Sequence, residues 1–243
     1  MIKKFFTYLI ISILLWNIIS LLSNNNVPNI FNVYDQFTKQ YDVVLTETLY
    51  SLLRLVVGII LSIIIGLTIA LLMFENKTTD KLLTPIVYAW MPIPKVALTP
   101  IFIILFGLGE FTKILLIISI VVVPIIVQVK SCLSSIPKEN FQIIEDYNIS
   151  KRSTILKIYF RAISYELFAV LKISIGTSIA ILYVAESSFG TQHGLGHYIS
   201  VNMGTNVDGM LLGIVILSFI GLILFIIVDE LQRRMCKWQL KDS

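Results

Sequence analysis

The chain of 243 residues is 56% hydrophobic and carries a mean hydropathy of +0.87. Only 14% of its residues are charged, against about 25% in an ordinary soluble domain, so a water-soluble globular domain is excluded and an integral membrane protein is implied. A formal charge of +4 and a pI near 9.0 would also suit nucleic acid. The basic residues instead sit where membrane topology needs them, so no nucleic-acid partner is expected and the surrounding medium is a lipid bilayer.

Lys3-Lys4 precedes an apolar run from Phe5 to Leu22. The run is long for a secretory signal core, and Ser23-Asn-Asn-Asn26 after it lacks a small-residue cleavage pattern, so it reads as an uncleaved first helix. Residues 23–42, with Pro28 and several Asn, read as an external loop. A spanning helix needs ~20 apolar residues. Five further segments approach that length: Val43 to Phe74, Leu82 to Phe106, Phe111 to Val129, Leu167 to Ala185 and Met210 to Val228. The expected fold is therefore all-α and polytopic, with about six transmembrane helices.

The third span, Leu82 to Phe106, is unlike the others, because Pro85, Pro92, Pro94 and Pro100 remove backbone donors along it. Irregular backbone at membrane depth is tolerated only against protein or a wet cavity. A broken helix facing a solute path is one reading and a kinked packing helix the other. Between the fifth and sixth spans, Gly190, Gly194 and Gly196 suggest a tight external turn or re-entrant segment. His193 and His197 flank Gly-Leu-Gly with no third ligand, so no metal site is expected there.

With the amino terminus inside, fourteen of the nineteen Lys and Arg fall in inner segments, and only Lys39 and Lys113 in outer loops. That asymmetry places both termini, and a polar stretch from Pro137 to Arg161, in the cytoplasm of a multi-pass inner-membrane protein. The stretch is too long for a simple turn between spans. Phe141, Ile143, Ile144 and Tyr147 recur at helical spacing, Asn148-Ile149-Ser150 interrupts, and Ser150 is placed to cap a second helix. In that second helix Ile155, Leu156, Tyr159 and Phe160 form one stripe, with Thr154, Lys157 and Arg161 opposite. An amphipathic elbow results. Cys132 and Cys236 lie beside the same inner surface, where thiols stay reduced.

The elbow resembles a degenerate form of the cytoplasmic loop of ABC importer permeases, whose pattern is E-A-A-x3-G-x9-I-x-L-P. The matching positions are Gln142-Ile143-Ile144, Asn148, Ile158 and Phe160-Arg161, of which Ile158 alone is identical. Other stretches are similar to the nitrate/taurine/sulfonate branch of that family, in family order from about residue 46 to 238. They are Thr48-Leu-x-Ser51-Leu-x-Arg54 with Gly58, Pro94-Lys-Val-Ala97 with Pro100, and Phe106-Gly-Leu-Gly109-Glu110 with Lys113. Ala185-Glu186, Gly194-Leu-Gly196-x-Tyr198-Ile199, and Glu230 with Arg233, Arg234 and Trp238 complete the set.

The resemblance implies a permease core over residues 43–238 with its coupling loop at 137–161, preceded by a first helix and external loop (1–42) and followed by a short cytoplasmic tail (239–243). It implies an ABC ATPase subunit as partner, an external solute-binding protein, and a homodimer of this chain. No phosphate-binding loop or other nucleotide fingerprint occurs. No cofactor is therefore expected in this chain, and ATP and Mg would belong to the partner ATPase. By the same resemblance Phe141, Gln142, Ile143, Ile144, Glu145, Asp146, Tyr147, Asn148 and Ser150 would contact that ATPase, with Ile143, Ile144 and Tyr147 packing and the acids at the rim. A helix lying on anionic lipid is the other reading of the elbow.

Residues Pro92, Pro94, Lys95 and Glu186 are candidates for the translocation path or gate. Charges inside spans cost about 2.5 to 3.5 kcal/mol each on insertion scales and so face protein or water. Lys95 beside the proline break would suit an anion, or would simply snorkel. Arg54 and Lys172 would pair with Glu47, Glu166 or backbone carbonyls. Glu186 would close an external gate or stand as a plain helix-end carboxylate. The expected function is a membrane-spanning permease subunit of an ATP-driven importer for a small, anionic or vitamin-precursor-like solute, and not an enzyme. A secondary transporter or channel subunit is the alternative, and it would need a relay of intramembrane acids that the spans scarcely offer.

Overall fold

A computed structural model of the chain describes residues 15–237 apart from 19, 23–26, 138, 140–141, 143–145, 147–149, 151–152 and 189–190. The described elements are helical: α1 (Ile30–Lys39), α2 (Tyr41–Glu75), α3 (Lys77–Trp90), a 3₁₀ turn (Lys95–Leu98), α4 (Thr99–Phe106), α5 (Glu110–Ser134), a π-helical segment (Thr154–Tyr159), α6 (Phe160–Ser187), α7 (Leu195–Asn202) and α8 (Val207–Met235). Four of them, α2, α5, α6 and α8, are long and apolar enough to cross a membrane. The pair of α3 and the 3₁₀–α4 segment, bent by 92°, forms a fifth candidate. Of the expected first span, residues 15–18 and 20–22 are described and are helical.

The chain divides into two compact units, Met1–Leu53 with Tyr183–Ile220 and Arg54–Leu182 with Gly221–Ser243, whose boundaries fall inside α2, α6 and α8. In the first unit, Asn29 caps α1 by accepting the Asn32 amide at 2.9 Å. Val33 of α1, Val44 of α2, Tyr198 of α7 and Leu212 of α8 form a buried cluster, with Trp16 and Phe37 packed against it. The segment expected to be an external loop thus contains a ten-residue helix, because Val33 and Phe37 lie one turn apart and share the cluster.

In the second unit, a Cβ on Gly58 would lie 2.8 Å from Ile117 Cγ2, and one on Gly66 would lie 2.7 Å from Ile125 Cγ2. Small residues let apolar helices approach this closely. Both contacts advance by eight residues, so α2 and α5 run parallel. The chain between them must therefore travel back, which makes residues 77–106 a broken return pass. In contrast α6 and α8 run antiparallel, since Ile179 meets Gly221 and Lys172 meets Asp229. Gln128 of α5 reaches Glu166 of α6 at 2.9 Å, so those two are antiparallel as well. The end of α2, the start of α3, the end of α5, the elbow, the start of α6 and the end of α8 consequently share one end of this unit.

The elbow departs from its expected form. Thr154–Tyr159 is not a separate helix but a π-helical segment that runs straight into α6. Hydrogen bonding from i to i+5 brings residues five apart to one side, so Thr154 and Tyr159 are both buried, at 5% and 8% exposure, where α periodicity placed them on opposite faces. Ser150 Oγ accepts the Ser153 amide at 3.4 Å, while the residue capping the π-helical segment is Ser153. The ring of Tyr159 meets Phe74 edge-on at 5.6 Å.

The α2–α5 contact yields a direct expectation. Gly58→Val and Gly66→Val should each destabilise the detergent-solubilised chain by about 1–3 kcal/mol through overpacking, lowering its thermal midpoint. Gly176→Ala, which would meet nothing within 4 Å, should not lower it.

Candidate functional site

In the first unit, α7 begins at Gly194, whose φ of 120° and ψ of 156° suit only glycine. The opening amides of a helix have no intrahelical acceptor. Here they are answered by side chains from α2 and α6. Glu47 takes the Gly194 amide through Oε2, Ser51 Oγ accepts the Leu195 amide at 2.8 Å, and Glu186 Oε2 accepts the Gly196 amide at 2.8 Å. Ser51 in turn donates its hydroxyl to the Glu186 carboxylate, 2.9 and 2.8 Å from its two oxygens. Glu186 and Ser51 are fully buried and Glu47 is nearly so.

Negative charge at a helix amino terminus is stabilised by the aligned peptide dipoles, by up to ~2 kcal/mol in partly buried geometry. Gly196 has no room for a side chain, since a Cβ would lie 2.6 Å from Glu186 Cβ and 2.7 Å from the Tyr183 carbonyl oxygen. His193 stacks on Tyr50 with centroids 4.5 Å apart and places Nδ1 3.2 Å from Glu47 Oε1. Glu186 is thus a buried clamp on α7, more than an exposed helix-end carboxylate. Among the described residues no group of three or more His, Cys, Asp or Glu is placed to hold a metal ion.

In the second unit several cations find partners that the sequence did not single out. Arg54 forms a bidentate pair with Glu110, through Nε to Oε2 and Nη2 to Oε1, and not with Glu47. Lys113 joins the same carboxylate at 3.0 Å. Lys172 donates to Asp229 at 3.0 Å and Gln232 at 2.6 Å, and not to Glu166. Lys130 bonds Asp80 and, at 3.0 Å, Thr84. Cys132 and Cys236 are unpaired thiols.

The broken pass owes its shape to Pro94. In a continuous helix the Trp90 carbonyl would accept the amide of residue 94, and proline has none. That carbonyl instead receives the Ile93 amide at 3.4 Å and the Lys95 ammonium at 2.6 Å, while Lys95 Nζ also reaches the Met91 carbonyl at 2.7 Å. A cation at the carboxyl end of α3 also complements the helix dipole. Trp90 Nε1 donates to the Ser119 carbonyl at 3.0 Å and pins the break to α5.

Beside the break lies a cavity of about 240 Å³ lined by Met91, Lys95, Pro124, Val170, Ser174 and Thr177 among others. Pro124 interrupts α5 there in the same way, withholding an amide from the Ile120 carbonyl. Pro92 and Pro94 are exposed and Lys95 is half-buried. Of the expected ATPase contacts, Gln142, Asp146 and Ser150 are described and exposed. Phe141, Ile143, Ile144, Glu145, Tyr147 and Asn148 lie outside the described residues. Sequence reasoning overlooked Glu47 as an α7 ligand, although its spacing of four from Ser51 puts both on one face of α2.

The family described as binding-protein-dependent transport system inner membrane component matches residues 58–237. The formylaminopyrimidine transport permease of Halalkalibacterium halodurans is 28% identical over 76% of this chain and 74% of that protein. The taurine transport system permease of Escherichia coli is 26% identical over 77% and 68%, and the nitrate import permease of Leptolyngbya laminosa 27% identical over 76% and 66%. A solved structure of the MetNI methionine ABC transporter in inward-facing conformation superposes with a TM-score of 0.66 over 79% of this chain and 96% of that one, at 16% identity.

The chain belongs to the binding-protein-dependent transport system inner membrane component family. It is a multi-pass permease subunit of an ABC importer, a transport subunit and not an enzyme, of the nitrate/taurine/sulfonate type. Such permeases act with a separate ATPase and a binding protein.

The clamp on α7 predicts the effect of Ser51→Ala. It leaves a buried amide and a buried carboxylate each short of one partner, at a cost of about 1–3 kcal/mol. A lowered thermal midpoint, together with faster amide exchange at residues 194–197 than elsewhere in α7, is the expected result.

Proposed function

We propose that two copies of this chain form the path by which a small anionic solute crosses the membrane, with the cavity at the broken pass as the part of the path this chain contributes. The observation that carries the reading is the Lys95 ammonium, which two backbone carbonyls hold at the rim of an otherwise largely apolar cavity. Two of its three N–H groups are committed to those carbonyls, which leaves one to meet a solute oxygen. The names of relatives point to the same chemistry, as taurine, nitrate and bicarbonate permeases are among them.

In this reading the elbow at residues 137–161 faces the cytoplasm and both termini lie on that side. The basic residues Arg233 and Arg234 near the end of α8 support it, being at the same end of the second unit as the elbow. The elbow docks on the ATPase subunit, with Ile143, Ile144 and Tyr147 packed and Glu145 or Asp146 at the rim. The external binding protein meets the opposite face. ATP then changes the populations of two packings of the permease, and no bond of the solute is altered.

Two substitutions test the proposal in reconstituted transporter. Lys95→Gln should lower uptake of the anion by about tenfold or more, the loss of one charge-assisted contact worth ~1.5–3 kcal/mol, while Lys95→Arg retains most of it. Ile144→Asp should abolish uptake while the chain still inserts and the ATPase still turns over. Unchanged uptake by Lys95→Gln would remove the anion path, and unchanged uptake by Ile144→Asp would remove the docking assignment.

A further inference from the structure

We propose that α1 is an interfacial helix whose outward aromatic side chains, Phe31 and Tyr34, sit in the headgroup and acyl boundary of the bilayer. At about 100° per residue, Val33, Phe37, Ile30, Tyr34 and Phe31 fall within an arc of about 160°, and Asn32, Asp35, Gln36 and Lys39 fill the opposite face. The protein uses only part of that apolar arc. Val33 is buried and Phe37 packs against the cluster, whereas Phe31 is 76% and Tyr34 67% exposed. Thr38, the one polar residue within the arc, returns its hydroxyl to the Asp35 carbonyl at 2.8 Å.

The depth of α1 follows from what Val33 touches. Its cluster includes Trp16, six residues before the end of the first apolar run, and Leu212, two residues after the start of the apolar stretch of α8. A side chain packed against Leu212 lies within a turn of the start of that apolar stretch, near the depth of the membrane surface. Exposed apolar side chains also flank it along the chain: Ile18, Leu21 and Leu22 precede α1, and Tyr41, Val43 and Leu45 follow it in α2. Aromatic residues are favoured at this level, where an apolar ring body meets polar headgroups. On the opposite face, Asp35 and Lys39 pair at 2.5 Å, and the carboxylate raises the Lys39 ammonium above its ordinary range by hydrogen bonding and charge. That face belongs in water.

The consequence reaches α7. Tyr198, which shares the cluster with Val33, donates its hydroxyl to Gln40 Oε1 at 2.6 Å, at the corner where α1 turns into α2. A helix seated on lipid therefore fixes the height of the corner against which α7 rests. The proposal is independent of what the chain transports.

Nitroxide labels at Phe31→Cys, Tyr34→Cys, Asn32→Cys and Gln36→Cys, in the full-length chain with Cys132→Ser and Cys236→Ser, test it in lipid nanodiscs. Positions 31 and 34 should show an oxygen-to-nickel-chelate accessibility ratio several-fold above positions 32 and 36. Equal ratios at all four positions would put α1 in water and overturn the proposal. Protection of 31 and 34 from both reagents would mean that protein covers the face, and would overturn it as well.

Discussion

Backbone N–H and C=O groups that lie away from water must find partners inside the protein, and a chain that spans a membrane has few to offer outside its own helices. Among the described residues, two interruptions of helical bonding in this permease are answered by polar side chains. At the start of α7 three amides meet Glu47, Ser51 and Glu186. At the break of the third pass the Trp90 and Met91 carbonyls meet Lys95. The signs are opposite because the helix ends are opposite: acids answer an amino terminus and a cation answers a carboxyl terminus.

These two arrangements satisfy the backbone of short, irregular segments. The clamp joins three stretches far apart in sequence, around residues 47–51, 186 and 194–196, so α7 is positioned by residues it does not itself carry. The break is held by its own neighbour in sequence and by the bond from Trp90 to the Ser119 carbonyl of α5, which places a charged side chain beside a cavity at a point where two helices, α3 and α5, both lack an amide to proline. A cavity thus coincides with irregular backbone in the second unit.

Much of this was legible in the sequence, and the parts that were not have physical reasons. The long spans declared themselves by apolar length, and the structure extends each of the four beyond its expected ends because a helix continues past the hydrocarbon as long as its backbone bonds do. The broken pass was readable from four prolines. The helix α1 was not, because its arc is half core and half surface and its flanks are rich in Asn, which looks like loop. The π-helical join at Thr154–Tyr159 escaped because side-chain spacing was read with an α period. Ion partners were the hardest to foresee: Glu110 for Arg54 and Asp229 for Lys172 lie 56 and 57 residues away, and only packing of the helices brings them together. Glu186 was recognised as a residue of interest, yet its role as a ligand of backbone amides required the fold.

The central claim is that the proline break opens on a path that carries solute. It is tested most directly by placing single cysteines at Met91, Ser174 and Thr177 of the assembled transporter and following their reaction with a membrane-impermeant thiol reagent during ATP turnover. The account predicts that all three react, at rates that change between the nucleotide-free and ATP-bound states and fall when solute is present. Three positions that stay unreactive in every state would show a dry packing defect in place of a path.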